Sequence, residues 1–517
     1  MQNDSQSVWI DTRNRRPLAQ RHPLFLTRLL RGLVIFVAAV ANTAVLSAAQ
    51  APPASTPKNS PIADAATPAS EELADSADAA RVDEFIQTAM QSQQIPGVAV
   101  AVMRNGRIVL AKGYGFANVE HRVPVTPETV FQSGSVGKAF TVMAVMMLVD
   151  AGRLRLDDKL TTHFPDGPPE WNKVTLSHLL EHTSGMTGYP EDFDFRADRT
   201  EGELYELIRS RPLAFEPGER RGYSNLGFVL LGILINKVTG QFYGDFLEEK
   251  IFGPLEMTTA RVISEADIIP NRAAGYRLAD GELKNQEWVA PSLNTTADGA
   301  LYLSVLDVAR WEAALNRGAL LTKRSYDAMW SNLKTNDGRQ QPWGFSWKVE
   351  TVNGARLVEH SGGWQGFTAN FTRYPAERLA VIVFTNLRGA NPERLGRGVL
   401  EVYRPEVGIA GLKPIRDTEP AVTEFVRDFL LKVTARKLSA DMFIPPLAEE
   451  IMRDTDAAAE TFASYGALEK VEPVGREDGA DGIVIHHYRV SYEKQLMVFI
   501  FGLAADGTIH QLDIRRY

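Results

Sequence analysis

From Val136 to Leu148 the chain is apolar nearly all round, with Lys138 and Thr141 its only polar side chains. A helix without a polar face has to be wrapped by protein on every side. The stretch therefore demands a domain large enough to bury it, and 517 residues suffice for two or three domains. Ser135 stands at the start of this helix and Lys138 three residues on, so the two share one face. A serine there lies in the positive end of the helix dipole, which favours charge developing on its oxygen or on a bound carbonyl. The lysine head is one of few polar groups in a desolvated place. Burial lowers a lysine pKa, and a neutral lysine can take a serine's proton.

The same Ser-x-x-Lys spacing recurs at Ser331–Lys334 and Ser491–Lys494. Ser331 lies in a polar segment running to Gly338 that reads as a loop. Ser491 lies in an alternating run, Tyr488 to Val498, that reads as a strand, where residues three apart point to opposite faces. Only Ser135 has its lysine on the same face with an apolar helix behind it.

Composition removes several classes of function. The net charge of −8 carries no nucleic-acid footprint. The absence of cysteine removes disulfides, thiol catalysis and cysteine-bound zinc. Residues 1–51 read as an export signal or an uncleaved N-terminal membrane anchor. Arg13, Arg15, Arg16, Arg21, Arg28 and Arg31 precede an apolar stretch, Leu33 to Ala49, and small-residue cleavage sites end at Ala49 and Ala51. The bulk of the chain is thus expected to be periplasmic or secreted. Residues 52–79, rich in Ala, Pro and Ser, read as a linker.

A catalytic domain is expected over residues 80–410. It begins with an amphipathic helix, Val82 to Gln91. Short β-rich runs follow, Val98 to Arg104 and Ile108 to Tyr114, joined by the hairpin signal Asn105-Gly106. Strands before and after a mainly helical middle argue for an α+β arrangement with an antiparallel sheet.

Three further stretches bear chemistry. His178-x-x-Glu181-His182 matches an inverted zinc-peptidase pattern, with Ser184-Gly185 closing the helix as the plainer reading. Tyr223-Ser224-Asn225 is the only Tyr-x-Asn in the chain. A tyrosine beside a lysine ammonium ionises below its usual pKa of ~10, and the asparagine offers an amide to orient a substrate. His360-Ser361-Gly362 is the only His-x-Gly, followed by Gly363, and glycines on a strand let a substrate come close.

The order Ser-x-x-Lys, Tyr-x-Asn, His-x-Gly resembles the class C β-lactamase-related serine hydrolases, which include penicillin-binding DD-peptidases, D-aminopeptidases and family VIII esterases. The resemblance spans about residues 83–405. It extends to the phrases Phe131 to Ser135, Leu148 to Leu156, Leu179 to Met186, Pro217-Gly218 and Asp298 to Ser304. It implies a β-lactamase/DD-peptidase-like α+β fold: an antiparallel sheet flanked by helices, plus an all-helical region. It also implies that Ser135 is acylated, that Lys138 and Tyr223 manage the proton as a coupled pair, and that Asn225 contacts the substrate amide. The backbone N–H groups of Ser135 and Gly363 would form the oxyanion hole beside Gly362. His360 stands where most β-lactamases carry the lysine of Lys-Thr-Gly. A histidine is mostly neutral at pH 7 and gains charge towards pH 6, so weak or no β-lactamase activity is expected. The implied function is an exported serine hydrolase of the esterase or D-amino-acid/peptide hydrolase type, without cofactor. The alternatives are a penicillin-binding DD-peptidase or β-lactamase, a penicillin-binding protein without turnover, and, more remotely, the zinc peptidase. The partner is a small-molecule or peptide substrate.

Residues 411–517 read as a small C-terminal α+β domain. Helices are expected over Glu419 to Ala435 and Leu447 to Tyr465. A four-stranded antiparallel sheet is expected over Val471 to Val474, Gly482 to Val490, Leu496 to Gly502 and His510 to Ile514.

Overall fold

The hairpin signal at Asn105-Gly106 becomes a tight turn with both residues at positive φ, 53° and 78°, the conformation that matches the twist of paired strands. It joins strands Gly97–Arg104 and Arg107–Asn118 of a seven-stranded sheet. The computed structural model describes residues 76–516 apart from 263–265, 300, 409–410, 454 and 480–481. The expected export segment and nearly all of the expected linker lie outside the described residues. The first helix is longer than its apolar pattern suggests, running Ser76–Gln93 and taking up the last linker residues.

The sheet order from edge to edge is Val123–Pro124, Arg107–Asn118, Gly97–Arg104, Leu379–Thr385, Phe367–Tyr374, Ala355–Trp364, Lys348–Val352. All pairings are antiparallel. The N-terminal strand thus enters beside a strand from the far end of the domain, Val98 opposite Thr385 and Arg104 opposite Leu379. Both of these strands read as near-continuous apolar runs because helices cover both faces of the sheet. Val98, Val100 and Val102 pack with Val82 and Ile86 of the first helix and with Leu395 and Val399 of helix Pro392–Tyr403. Ala99, Ala101 and Met103 face the second core, which holds the apolar helix.

That helix, Lys138–Asp150, is buried on every side, as its sequence requires. It packs against helix Asn225–Thr239 within the helical region. One local expectation changes. Ser135 is not on the α-helix but in a 3-10 turn, Gly134–Gly137, that leads into it. At three residues per turn, positions i and i+3 eclipse, which sets the Lys138 side chain above Ser135 more directly than an α-turn would.

Past the catalytic region, helices Pro420–Thr434, Pro445–Arg453 and Thr455–Ser464 cover a four-stranded antiparallel meander. Its strands are Leu468–Asp478, Val484–Tyr492, Leu496–Leu503 and Ile509–Arg516. Val426, Phe429, Phe462, Phe499 and Phe501 build a core from this segment's own residues. Among the described residues no single helix is long and apolar enough to cross a membrane.

Candidate active site

Two breaks in regular structure bring the chemistry together. The first is the edge of the sheet. Pairing between Lys348–Val352 and its neighbour ends at Lys348 opposite Glu359. From His360 onward the strand Ala355–Trp364 has no sheet partner on that side among the described residues, and the Ser135 turn packs there instead. Glycine makes the approach possible. A Cβ on Gly362 would lie 2.2 Å from Ser133 O and 2.8 Å from Ser135 N, and one on Gly134 2.6 Å from Gly363 N. A Cβ on Gly363 would meet nothing within 4 Å, so this glycine faces open space.

The second break is a helix start. Ser224 caps helix Asn225–Thr239, its hydroxyl accepting the Gly227 N–H at 2.9 Å and donating to Thr187 O at 2.7 Å. Ser224 itself is extended, φ −134° and ψ 114°, so the residues on either side of it project the same way. Tyr223 therefore reaches Ser135 while Asn225 reaches its lysine. The segment is further held by Gly222 N–H to His182 O and Gly218 N–H to Thr183 O, each 2.8 Å.

The Tyr223 hydroxyl is 2.7 Å from Ser135 Oγ, and Lys138 Nζ is 3.1 Å from the same oxygen. Lys138 also donates to Asn225 Oδ1 at 2.8 Å and to the backbone carbonyl of Asp298. Its side chain is fully buried. Three acceptors match the three N–H bonds of an ammonium, and the charge stands 5.0 Å above the Tyr223 ring. Among the described residues the Tyr223 oxygen is the other side-chain group within hydrogen-bond reach of Ser135 Oγ. Asp298 reaches Lys138 because Gly299, at φ +138°, packs directly on Gly134 O. Lining the cleft are Gly134, Ser135, Asn225, Leu293, Asp298, Gly299, Gly363 and Trp364.

His360 is placed differently from a substrate-binding cation. Its ring is buried and both nitrogens are engaged, Nδ1 with Ser361 O at 2.7 Å and Nε2 with Ser346 Oγ at 2.9 Å. Burial, with Lys138 and Arg221 nearby, pushes its pKa down to about 3. It therefore gains no charge near pH 6, contrary to the expectation for an exposed histidine. The strand beneath it is anchored by Glu359, which pairs with Arg397 and accepts from Thr372 Oγ1 at 2.7 Å and Asn370 Nδ2 at 3.1 Å. Burial raises the Glu359 pKa, but Arg397 outweighs it and holds the carboxyl below the usual range.

The zinc reading fails on geometry. The helix Leu176–Leu180 ends before His182, which sits at φ 59°, so His178 and His182 do not share a helical face. His178 Nδ1 accepts the Thr175 N–H in a capping box, and His182 Nδ1 accepts the Ser224 N–H. Glu181, raised by burial to about 7, joins no metal-binding group, and none of three or more His, Cys, Asp or Glu forms among the described residues. Of the other Ser-x-x-Lys pairs, Ser331 bonds Asp327 O beyond the end of a helix and Ser491 lies in the tail sheet. Three contributors escaped the sequence: the Asp298 carbonyl, His182 as a support for Tyr223, and Ser346. No local pattern marks them, because each acts through a contact between distant segments.

A family model described as Beta-lactamase matches residues 82–402. Penicillin-binding protein 4* of Bacillus subtilis (strain 168) is 28% identical over 320 residues, 58% of this chain and 70% of that protein. The D-aminopeptidase of Brucella abortus (strain S19) is 30% identical over 351 residues, 65% of this chain and 64% of that enzyme. This chain thus spans slightly less than two thirds of that relative. In fold it is similar to the octameric penicillin-binding protein homologue from Pyrococcus abyssi, with a TM-score of 0.59 and 23% identity over 85% of this chain and 98% of that one. It is also similar to the D-amino acid amidase from Ochrobactrum anthropi SV3, with a TM-score of 0.55 and 24% identity over 63% and 99%. A class C beta-lactamase gives 0.54 and 22% over 63% and 96%.

Proposed function

Because the chain belongs to the Beta-lactamase family and is a serine hydrolase, we propose that it is exported and cleaves an ester or amide bond through an acyl-enzyme on Ser135. The observation that carries this reading is Ser135 Oγ held between the Tyr223 hydroxyl at 2.7 Å and Lys138 Nζ at 3.1 Å.

In the proposed mechanism the Tyr223 oxygen takes the proton of Ser135 as Oγ attacks the substrate carbonyl. Lys138 Nζ, 3.1 Å from Ser135 Oγ and 5.0 Å from the Tyr223 ring centroid, holds the two oxygens in place as the proton moves. The backbone N–H groups of Ser135 and Gly363 face the developing oxyanion. Tyr223 then passes the proton to the leaving group; in the second half the same oxygen takes a proton from water as the water attacks the acyl carbon, and gives it to Ser135 Oγ as the acyl–oxygen bond breaks. Asn225 keeps its Oδ1 on Lys138 and turns its amide nitrogen to the substrate amide.

The substrate is proposed to be a small ester or a D-amino-acid amide or peptide rather than a β-lactam. The buried, uncharged His360 supports this, since it offers a substrate carboxylate no charge. The 30% identity to a D-aminopeptidase supports the amide branch. Export rests on the basic and apolar pattern of residues 1–51.

The test is to label the protein with a fluorophosphonate, map the modified residue, and then compare p-nitrophenyl esters, D-alanine p-nitroanilide and benzylpenicillin. Label on Ser135 with turnover of the first two in preference to penicillin is expected. Label elsewhere, or efficient penicillin hydrolysis, overturns the reading.

A further inference from the structure

Behind the cleft, three buried side chains from three separate segments stand in a line: His182, Ser346 and His360. His182 follows the helix Leu176–Leu180. Ser346 precedes strand Lys348–Val352. His360 lies on strand Ala355–Trp364. Ser346 Oγ is 2.9 Å from His360 Nε2 and 3.5 Å from His182 Nε2, the second being the longer link.

The outer partners fix which atom holds each proton. Ser361 O only accepts, so His360 Nδ1 carries its ring's hydrogen and Nε2 accepts the Ser346 hydroxyl. The Ser224 N–H only donates, so His182 Nδ1 accepts and its Nε2–H points at Ser346 Oγ. Both rings are thus neutral. Burial, with cations nearby, also holds the pKa of each below the ordinary value.

The two ends of this line touch the two halves of the site. The His182 ring lies against the Tyr223 ring, centroids 4.5 Å apart at 33°, and bonds the backbone of Ser224 between Tyr223 and Asn225. His360 bonds Ser361, next to the Gly362 that touches the Ser135 turn. Two of the three members are also held in the left-handed region, His182 at φ 59° and Ser346 at φ 62°. A non-glycine residue persists there only where its surroundings over-determine it. Glycine would fit position 346 without strain; what serine adds is the hydroxyl.

We propose that His182, Ser346 and His360 form a positioning relay that fixes the Tyr223 oxygen against Ser135 by tying the Tyr223–Asn225 segment to the strand that closes on the nucleophile. None of the three is a catalytic residue, since their nitrogens and hydroxyl are taken up by one another and by the backbone. The inference rests on the acyl-enzyme reading of Ser135.

The test compares Ser346→Gly with Ser346→Ala. Both remove the hydroxyl, but only glycine removes the backbone strain. The relay requires kcat on p-nitrophenyl acetate to fall about tenfold in both, with KM within about twofold, while Tm of Ser346→Gly equals or exceeds that of the unmodified protein. His360→Asn combined with Ser346→Gly should be no slower than the slower single variant, as members of one unit are non-additive. Wild-type kcat in Ser346→Gly overturns the relay, because the hydroxyl then contributes nothing. Loss of kcat in proportion to loss of Tm also overturns it, because the serine is then only structural. If the unmodified protein neither takes up fluorophosphonate nor hydrolyses any ester or D-alanine p-nitroanilide, the acyl-enzyme reading itself fails, a result that needs no variant.

Discussion

The Tyr223 hydroxyl stands 2.7 Å from Ser135 Oγ although 88 residues separate the two. Neither residue's own element would place it so. The contact exists because a 3-10 turn packs against strand Ala355–Trp364 and a capped helix start brings Tyr223 to that turn.

Ser135→Ala is expected to lower kcat by several orders of magnitude, about 10⁶ if the site behaves like other covalent serine sites. Steady-state kinetics on p-nitrophenyl acetate and mass-spectrometric mapping of the label check this. Modification of Ser331 or Ser491 would refute the assignment.

Lys138→Ala and Tyr223→Phe should each cost at least ~10² in kcat, the usual effect of losing an acid–base group. The double variant should be little slower than the slower single one. If the two losses multiply, tyrosine and lysine act independently and the shared-proton account is wrong.

Gly362 and Gly363 should answer differently to alanine. At Gly362 the new methyl would lie 2.2 Å from Ser133 O, an overpacking that typically costs about 1–3 kcal/mol. Gly362→Ala should therefore lower both Tm and kcat. Gly363 has room for a methyl and lines the cleft, so Gly363→Ala should keep its Tm and lose kcat/KM. Equal thermal shifts in the two variants would contradict the close packing described.

Acid stability should depend on His360. Its native pKa, pushed down to about 3, lies below the ordinary 6.5. Between those values the unfolded chain binds a proton that the native protein does not, so stability is full above about pH 6.5 and falls as pH drops towards 3. One such group adds up to about 1.4 kcal/mol per pH unit to the slope. Urea unfolding at pH 6.5, 5.5 and 4.5 should show a steeper loss for the unmodified protein than for His360→Asn. Parallel slopes would mean that His360 is protonated in the native state.

The tail should behave as a unit of its own, since its core is made from its own residues. Limited proteolysis is expected to cut between residues 408 and 420 and leave two resistant fragments. Cleavage confined to other loops would make the tail integral to the catalytic region.

Much of this protein was legible without coordinates. The all-round apolar helix at Lys138–Asp150, the Asn105-Gly106 hairpin and the tail's order of helices and strands follow from local periodicity and turn chemistry, which depend on neighbours in sequence. Ser135, Lys138, Tyr223 and Asn225 were legible because each stands in a short motif. Tertiary structure decided the rest. It set Lys138 among three acceptors drawn from three separate segments, Ser135, Asn225 and Asp298. It also withdrew His360 from the cleft into a hydrogen-bonded line with Ser346 and His182. Protonation state and accessibility are properties of a surrounding volume, and that volume is assembled from residues far apart in the chain. A motif names the group that is present. Only packing determines which of its atoms remain free to react.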